Sequence, residues 1–211
     1  MKYKMIIFDL DGTILDTLAD LNQALNYALT KFNLTPVSLV VTKKCIGNGI
    51  RNLVYECSNH SPLTDEILRE FKDYYAKHFN DFTKPYEGVS ELIDYCLNQN
   101  LIIGVYSNKI EDIVVELCNK HFPDKFAFTF GEVEGRLRKP NPNFLNEIIK
   151  QYGLTNKDVL YIGDSEVDIK TCQNASIAGI FVSYGFRSKT ELVKLSSQVV
   201  DKPSEIINLL R

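Results

Sequence analysis

The residues that can do chemistry fall in four short clusters: Asp9-Leu10-Asp11-Gly12-Thr13, Ser107-Asn108, Lys139-Pro140 and Gly163-Asp164-Ser165-Glu166-Val167-Asp168. Brought together they offer four aspartate carboxylates, a serine hydroxyl, an amide and a lysine. Unit charges 4 Å apart at an effective dielectric of about 20 repel by roughly 4 kcal/mol, so clustered aspartates must take up protons or hold a cation. An oxygen-only set without His or Cys suits a hard ion, and Mg²⁺ bound through a few carboxylates with its waters retained is the usual case. If Asp11 keeps its proton, Mg²⁺ and Lys139 balance Asp9, Asp164 and Asp168. A phosphate dianion is then attracted to Ser107, Lys139 and nearby backbone N–H groups. Asp9 and Asp11 can divide the work. One carboxylate, ionised, serves as a nucleophile; the other, crowded by like charge, serves as general acid and then base.

Such a site needs elements that carry distant clusters to one edge. Lys4–Phe8, Leu101–Tyr106, Val159–Ile162 and Gly179–Ser183 read as strands buried on both faces, with Phe126–Phe130 a weaker one. Helical periods lie between them. The one over Phe144–Tyr152 is punctuated by Asn141 as N-cap, Pro142 at its first position and Gly153 after its end. Ser188 and Glu191 have capping-box spacing before another helix. Alternating strands and helices predict an α/β fold: a doubly wound, mainly parallel, Rossmann-like sheet. Ligands of such sheets bind beyond the carboxyl ends of the strands, where three of the clusters fall. Residues 18–82 carry no convincing strand. Their stripes, Leu18 to Phe32, Ile46 to Cys57 and Ile67 to Phe79, predict an inserted all-helical cap over 16–83, with the α/β core in 1–15 and 84–211. The two crossings, Asp16-Thr17 and Lys84-Pro85-Tyr86-Glu87-Gly88, must then lie side by side.

Composition narrows the function. Across 211 residues the net charge is −3, with 45% hydrophobic and 24% charged residues, an ordinary globular balance. It offers no bulk positive field for nucleic acid or an anionic membrane surface. Apolar runs such as Met5–Phe8 are far shorter than the roughly 20 residues of a span. Five scattered cysteines form no C-x-x-C pair and no Cys/His cluster. They read as reduced, packed thiols, with the cytoplasm as the expected compartment. A small phosphorylated metabolite is the expected partner, and monomer and homodimer stay equally open.

In order, spacing and strand-end placement, the four clusters resemble the four motifs of the haloacid dehalogenase-like superfamily, and the insertion resembles its helical cap. The resemblance implies Asp9 as nucleophile and Asp11 as acid/base. It implies Asp9, the main-chain carbonyl of Asp11 and Asp164 as Mg²⁺ ligands, with Asp168 in support. Ser107 and Lys139 would bind the phosphoryl group, helped by Thr13 and Asn108. Haloalkanoate dehalogenases lack the second aspartate, so Asp11 points to phosphate chemistry. Cys45-Ile46-Gly47-Asn48-Gly49, Gly163–Asp168 and Ser183-Tyr184-Gly185 resemble the phosphoglycolate phosphatase-like branch. The expectation is a Mg²⁺-dependent phosphatase acting through an aspartyl-phosphate. The alternatives are a β-phosphoglucomutase-like phosphosugar mutase, an inorganic pyrophosphatase and a non-enzymatic receiver-type module. Gly47 and Gly49 read first as a helix-to-helix turn and Arg51 as an exposed arginine. All three remain candidate cap contacts to substrate.

Overall fold

The structure is a computed structural model that describes residues 2–211. The first strand, β1 (Met5–Phe8), has every side chain fully buried, as a central parallel strand covered on both faces requires. The chain continues through β2 (Leu15–Asp16), α1 (Leu18–Lys31), α2 (Leu39–Cys45), α3 (Ile50–Cys57), α4 (Thr64–His78) and β3 (Lys84–Pro85). Then follow α5 (Val89–Asn98), β4 (Ile102–Ile110), α6 (Glu111–His121), β5 (Phe128–Glu132) and α7 (Asn143–Gln151). The rest comprises β6 (Val159–Gly163), α8 (Glu166–Ala175), β7 (Ala178–Val182), α9 (Lys189–Leu192), β8 (Val199–Val200) and α10 (Pro203–Leu210).

Six strands form one sheet in the order β5-β4-β1-β6-β7-β8, and every pairing in it is parallel. Neighbours β4 and β6 flank β1, so the loops after all three strands open on one edge. The strand order reverses around β1, which is where ligands of doubly wound sheets sit. On one face Leu145, Ile148 and Ile149 of α7 and Ile169 and Cys172 of α8 pack over Met5, Ile7, Tyr106, Val159 and Tyr161.

The chain divides into two compact units: residues up to Leu15 with Pro85–Arg211, and Asp16–Lys84. The first is the α/β core. The second is the four helices α1–α4, so Lys84 groups with the insertion and not the core. At the crossings β2 and β3 pair as a two-stranded ribbon. Inside the helical unit Asp20 is buried at the start of α1. Its carboxylate accepts the N–H groups of Phe82 and Thr83, at 3.0 and 2.8 Å, and the Thr83 hydroxyl at 2.6 Å. One buried carboxylate thus ties the unit's first helix to its exit.

Several boundaries differ from the sequence reading. β4 runs four residues past Tyr106, to Ile110, which pairs with Glu132 of β5 beyond a shift in register. Helix α7 starts one residue later than expected: Pro142 takes the capping place, while the Asn141 carboxamide accepts the Asn143 N–H at 3.0 Å. Helix α2 and the two-residue strand β8 carry no periodic signature. The apolar start of α2, Leu39-Val40-Val41, faces solvent and forms no stripe.

Candidate active site

Asp9 follows β1 directly, and its N–H donates to the Ile162 carbonyl at 2.8 Å, so the sheet ladder fixes its main chain. The next residues turn back at once: the N–H groups of Thr13, Ile14 and Leu15 all point to the Leu10 carbonyl. Gly12 makes the turn with φ +80°, in the left-handed region where a side chain is strained. A Cβ there would also lie 2.2 Å from Asp164 Oδ2, and one on Gly185 would lie 2.6 Å from it. The two glycines therefore leave the space that the Asp164 carboxylate occupies. Opposite them, the Phe186 N–H donates to Asp164 Oδ2 at 2.6 Å. The loop carrying Phe186 is pinned to the start of α8 by Arg187, which forks onto Glu166 at 2.7 and 2.8 Å.

Lys139 is the centre of the charge arrangement. It is buried, and its ammonium lies 2.9 Å from Asp9 Oδ1 and 2.7 Å from Asp168 Oδ1. It also donates to the Tyr161 hydroxyl at 2.9 Å, which in turn donates to the Tyr106 carbonyl at 2.8 Å. Burial works to lower the Lys139 pKa, but the carboxylates of Asp168 and Asp9 outweigh it and hold the amine charged. Asn108 fixes the lysine's backbone: its amide donates to the Lys139 carbonyl at 3.0 Å and accepts the Lys139 N–H at 2.9 Å. Asn108, expected to support the phosphoryl group, therefore also ties the end of its strand to the loop that carries Lys139. Arg136 braces the same loop by pairing with Glu111 and packing over the Phe144 ring at 4.0 Å.

Asp168 is completely buried with both oxygens engaged. Oδ1 takes the Lys139 ammonium, while Oδ2 accepts the Ser165 hydroxyl at 2.6 Å and the N–H groups of Ser165 and Asp164 at 3.1 and 3.2 Å. It closes a capping box at the start of α8 and so joins the Asp164 N–H and the Lys139 ammonium through one carboxylate. Asp9 is less satisfied. Its Oδ1 has the charge of Lys139 beside it but no aligned hydrogen bond, and the buried Thr13 hydroxyl likewise has no hydrogen-bond partner. Ser107, at the sheet edge, is buried, and its oxygen accepts the Lys109 N–H at 3.3 Å.

Lys109 belongs to the site too, and the sequence reading passed over it. Its ammonium donates to Asp11 Oδ1 at 2.9 Å, with the Lys109 side chain only 3% exposed and that of Asp11 14%. It stands two residues after Ser107, on the same side of a strand, which is the signal that marks it. Tyr161, inside the apolar run of β6, carries no signal in the sequence of its bond to Lys139. Ser165 and Asp168 carry the same capping-box spacing that was recognised at Ser188 and Glu191.

The donor set fits a hard divalent cation. Asp9, Asp164 and Asp168 each offer a carboxylate oxygen within 4.8 Å of the others, and all three are buried. Four carboxylates face two buried ammoniums, which leaves two negative charges to balance. Burial raises the Asp9 carboxyl from 3.8 to about 6 against the pull of Lys139, and burial together with Asp168 and Asp9 pushes Asp164 well above the ordinary carboxylate range. These are acids that need a cation to ionise together.

The core therefore brings Asp9, Asp11, Thr13, Ser107, Asn108, Lys139, Asp164 and Asp168 to one sheet edge. Gly47 and Gly49 lie in the other unit, in the turn between α2 and α3, with φ of +122° and +81°. Arg51, at the start of α3, is exposed and paired with Asp65 at 3.0 Å.

The profile of the haloacid dehalogenase-like hydrolase family matches residues 6–182, and the chain belongs to that family. The phosphoglycolate phosphatase of Mesorhizobium japonicum is 30% identical over 196 residues, 90% of this chain and 86% of that protein. That of Aliivibrio fischeri is also 30% identical, over 87% of this chain and 85% of its own length. A Lactobacillus delbrueckii subsp. bulgaricus crystal structure, provisionally assigned as a phosphoglycolate phosphatase, superposes with a TM-score of 0.93 at 34% identity, covering 98% and 97% of the two chains. The chain is an enzyme of the phosphatase kind, in the family's phosphoglycolate phosphatase-like branch. Among the described residues no helix is long and apolar enough to cross a membrane.

Proposed function

We propose that the protein hydrolyses a small phosphate monoester of the phosphoglycolate type, with Asp9 as nucleophile. The observation that carries this is the Asp9 carboxylate, buried at the end of the central strand, 2.9 Å from a buried lysine and without an aligned hydrogen bond on the oxygen facing it. An Asp9 oxygen attacks phosphorus, the bond to the leaving oxygen breaks, and Asp11 delivers a proton to that oxygen. Asp11 then takes a proton from water, the water attacks phosphorus, and the bond to Asp9 breaks to give inorganic phosphate and a free carboxylate. Lys139 and Ser107 hold the equatorial phosphoryl oxygens, where charge accumulates. Mg²⁺, held by Asp9, Asp164 and the Asp11 main-chain carbonyl, would neutralise the carboxylates and let a dianion approach. The cysteines, none of them in a disulfide and all but Cys45 buried, fit a cytoplasmic setting.

A panel of small phosphate esters, glucose 1-phosphate and pyrophosphate, assayed with Mg²⁺ and again with EDTA, tests this reading. Phosphoglycolate-type esters should give the highest kcat/KM, with phosphate released and activity abolished by the chelator. Isomerised sugar phosphate, or undiminished turnover in EDTA, would count against it.

The same charge balance sets a pH-dependent response to the cation. Asp9 in the cation-free protein has a raised pKa, so its contribution to stability is present at low pH and disappears as pH rises through about 6. Mg²⁺ needs the ionised form and must displace a proton below that pH. Mg²⁺ should therefore raise the Tm clearly at pH 8 and little at pH 5. A shift of equal size at both values would mean the ion binds elsewhere.

A further inference from the structure

We propose that Lys109 is a positioning residue for proton transfer to the leaving group: its ammonium fixes the carboxyl of Asp11 where that carboxyl meets the leaving oxygen. The inference rests on the acid/base role of Asp11 proposed above and adds the group that directs it.

A charged lysine this deeply buried is rare without a partner. Here the partner is Asp11, 98 positions away in the sequence, at 2.9 Å. The strand that supplies Lys109 is also irregular at this point. The β4–β5 register shifts between Tyr106 and Ile110, and such a break in the ladder re-aims side chains beside it. The Lys109 N–H is directed to Ser107 Oγ at 3.3 Å, so its backbone is tied to a residue placed at the phosphoryl group.

Accessibility separates positioning from phosphate binding. The Asp11 side chain retains 14% exposure against 3% for Lys109. The carboxyl is thus the more accessible of the two groups. Asp11 sits on a short side chain in a tight turn, and its rotation is what an ion pair to a rigid strand restrains. Displacement of a general acid by about 1 Å costs on the order of 10²-fold in rate. Lys139 does not do this job, because its contacts run to Asp9, Asp168 and Tyr161.

The test uses the leaving group. Phosphoryl transfer to Asp9 governs kcat/KM, and an alkyl leaving group needs the proton of Asp11 whereas p-nitrophenolate leaves without it. In the full-length K109M protein, kcat/KM for an alkyl phosphate such as phosphoglycolate should fall about 10²-fold. The loss for p-nitrophenyl phosphate should be smaller by at least about tenfold. The activating Mg²⁺ concentration should stay within about threefold of wild type, since the Mg²⁺ donors are untouched. K109Q, which keeps a donor of shorter reach, should show the same selectivity at a smaller size, and it carries the comparison if K109M does not fold. Equal losses for both leaving groups, or no loss, overturn the proposal. D11N measured alongside separates the two failures. If D11N is selectively impaired on alkyl esters and the Lys109 variants are not, only the role of Lys109 fails. If D11N shows no selectivity, the acid/base reading of Asp11 fails with it.

Discussion

Replacing Asp9 with asparagine leaves the protein folded and lowers kcat by at least about 10⁴-fold, the scale seen when a covalent nucleophile is removed. The amide is nearly isosteric and is a far weaker nucleophile. Folding survives because the change removes a buried charge whose Oδ1 has no aligned hydrogen bond to lose. Without Mg²⁺, D9N should melt no lower than wild type, since burial already disfavours the ionised carboxyl. Steady-state assays on phosphoglycolate and p-nitrophenyl phosphate, with thermal melts of both proteins, check the two halves together. Retained turnover on either ester contradicts the nucleophile assignment.

The second large effect is on stability. Lys139→Met removes the one cation beside both Asp9 and Asp168, and it leaves Asp168, completely buried, without its charge partner. Breaking a buried pair from one side costs about 3–5 kcal/mol, because the remaining charge stays desolvated. Urea unfolding should report a loss of this size, and activity should fall as well, since the phosphoryl group loses its lysine. The double variant K139M/D168N tests the cause. Removing the stranded charge should return much of the stability and none of the activity. A double variant no more stable than K139M would mean that lost packing, and not the uncompensated carboxylate, sets the cost.

What the sequence makes legible follows from how strongly each element is constrained. The central strands announce themselves because a parallel sheet covered by helices demands apolar residues at every position, as Met5–Phe8 shows. The chemistry after them is legible because four clusters fall at strand ends or just ahead of a helix. The long-range polar contacts are harder to read. Nothing near Asn108 in the sequence announces that its amide also holds the Lys139 backbone, 31 positions away. Lys109 looks like a loop residue, because it lies three positions beyond Tyr106, where the apolar run ends. The strand nevertheless continues through it, and its partner comes from the turn after β1. Exposed apolar residues hide α2, since Leu39, Val40 and Val41 make no buried stripe. Strand β8 is too short to show a period. Local pattern and burial are written along the chain, whereas pairing between distant charges appears only once the sheet has set which loops meet.

The central claim is that Asp9 becomes covalently phosphorylated while it shares a divalent ion with Asp164. The most direct measurement mixes the Mg²⁺-loaded enzyme with phosphoglycolate, quenches it within milliseconds, and reduces any acyl phosphate with borohydride before peptide mass mapping. Conversion of residue 9 alone to homoserine, absent in EDTA and in D9N, is the expected result. Phosphate release with residue 9 unaltered, or reduction at a different carboxylate, would contradict the account.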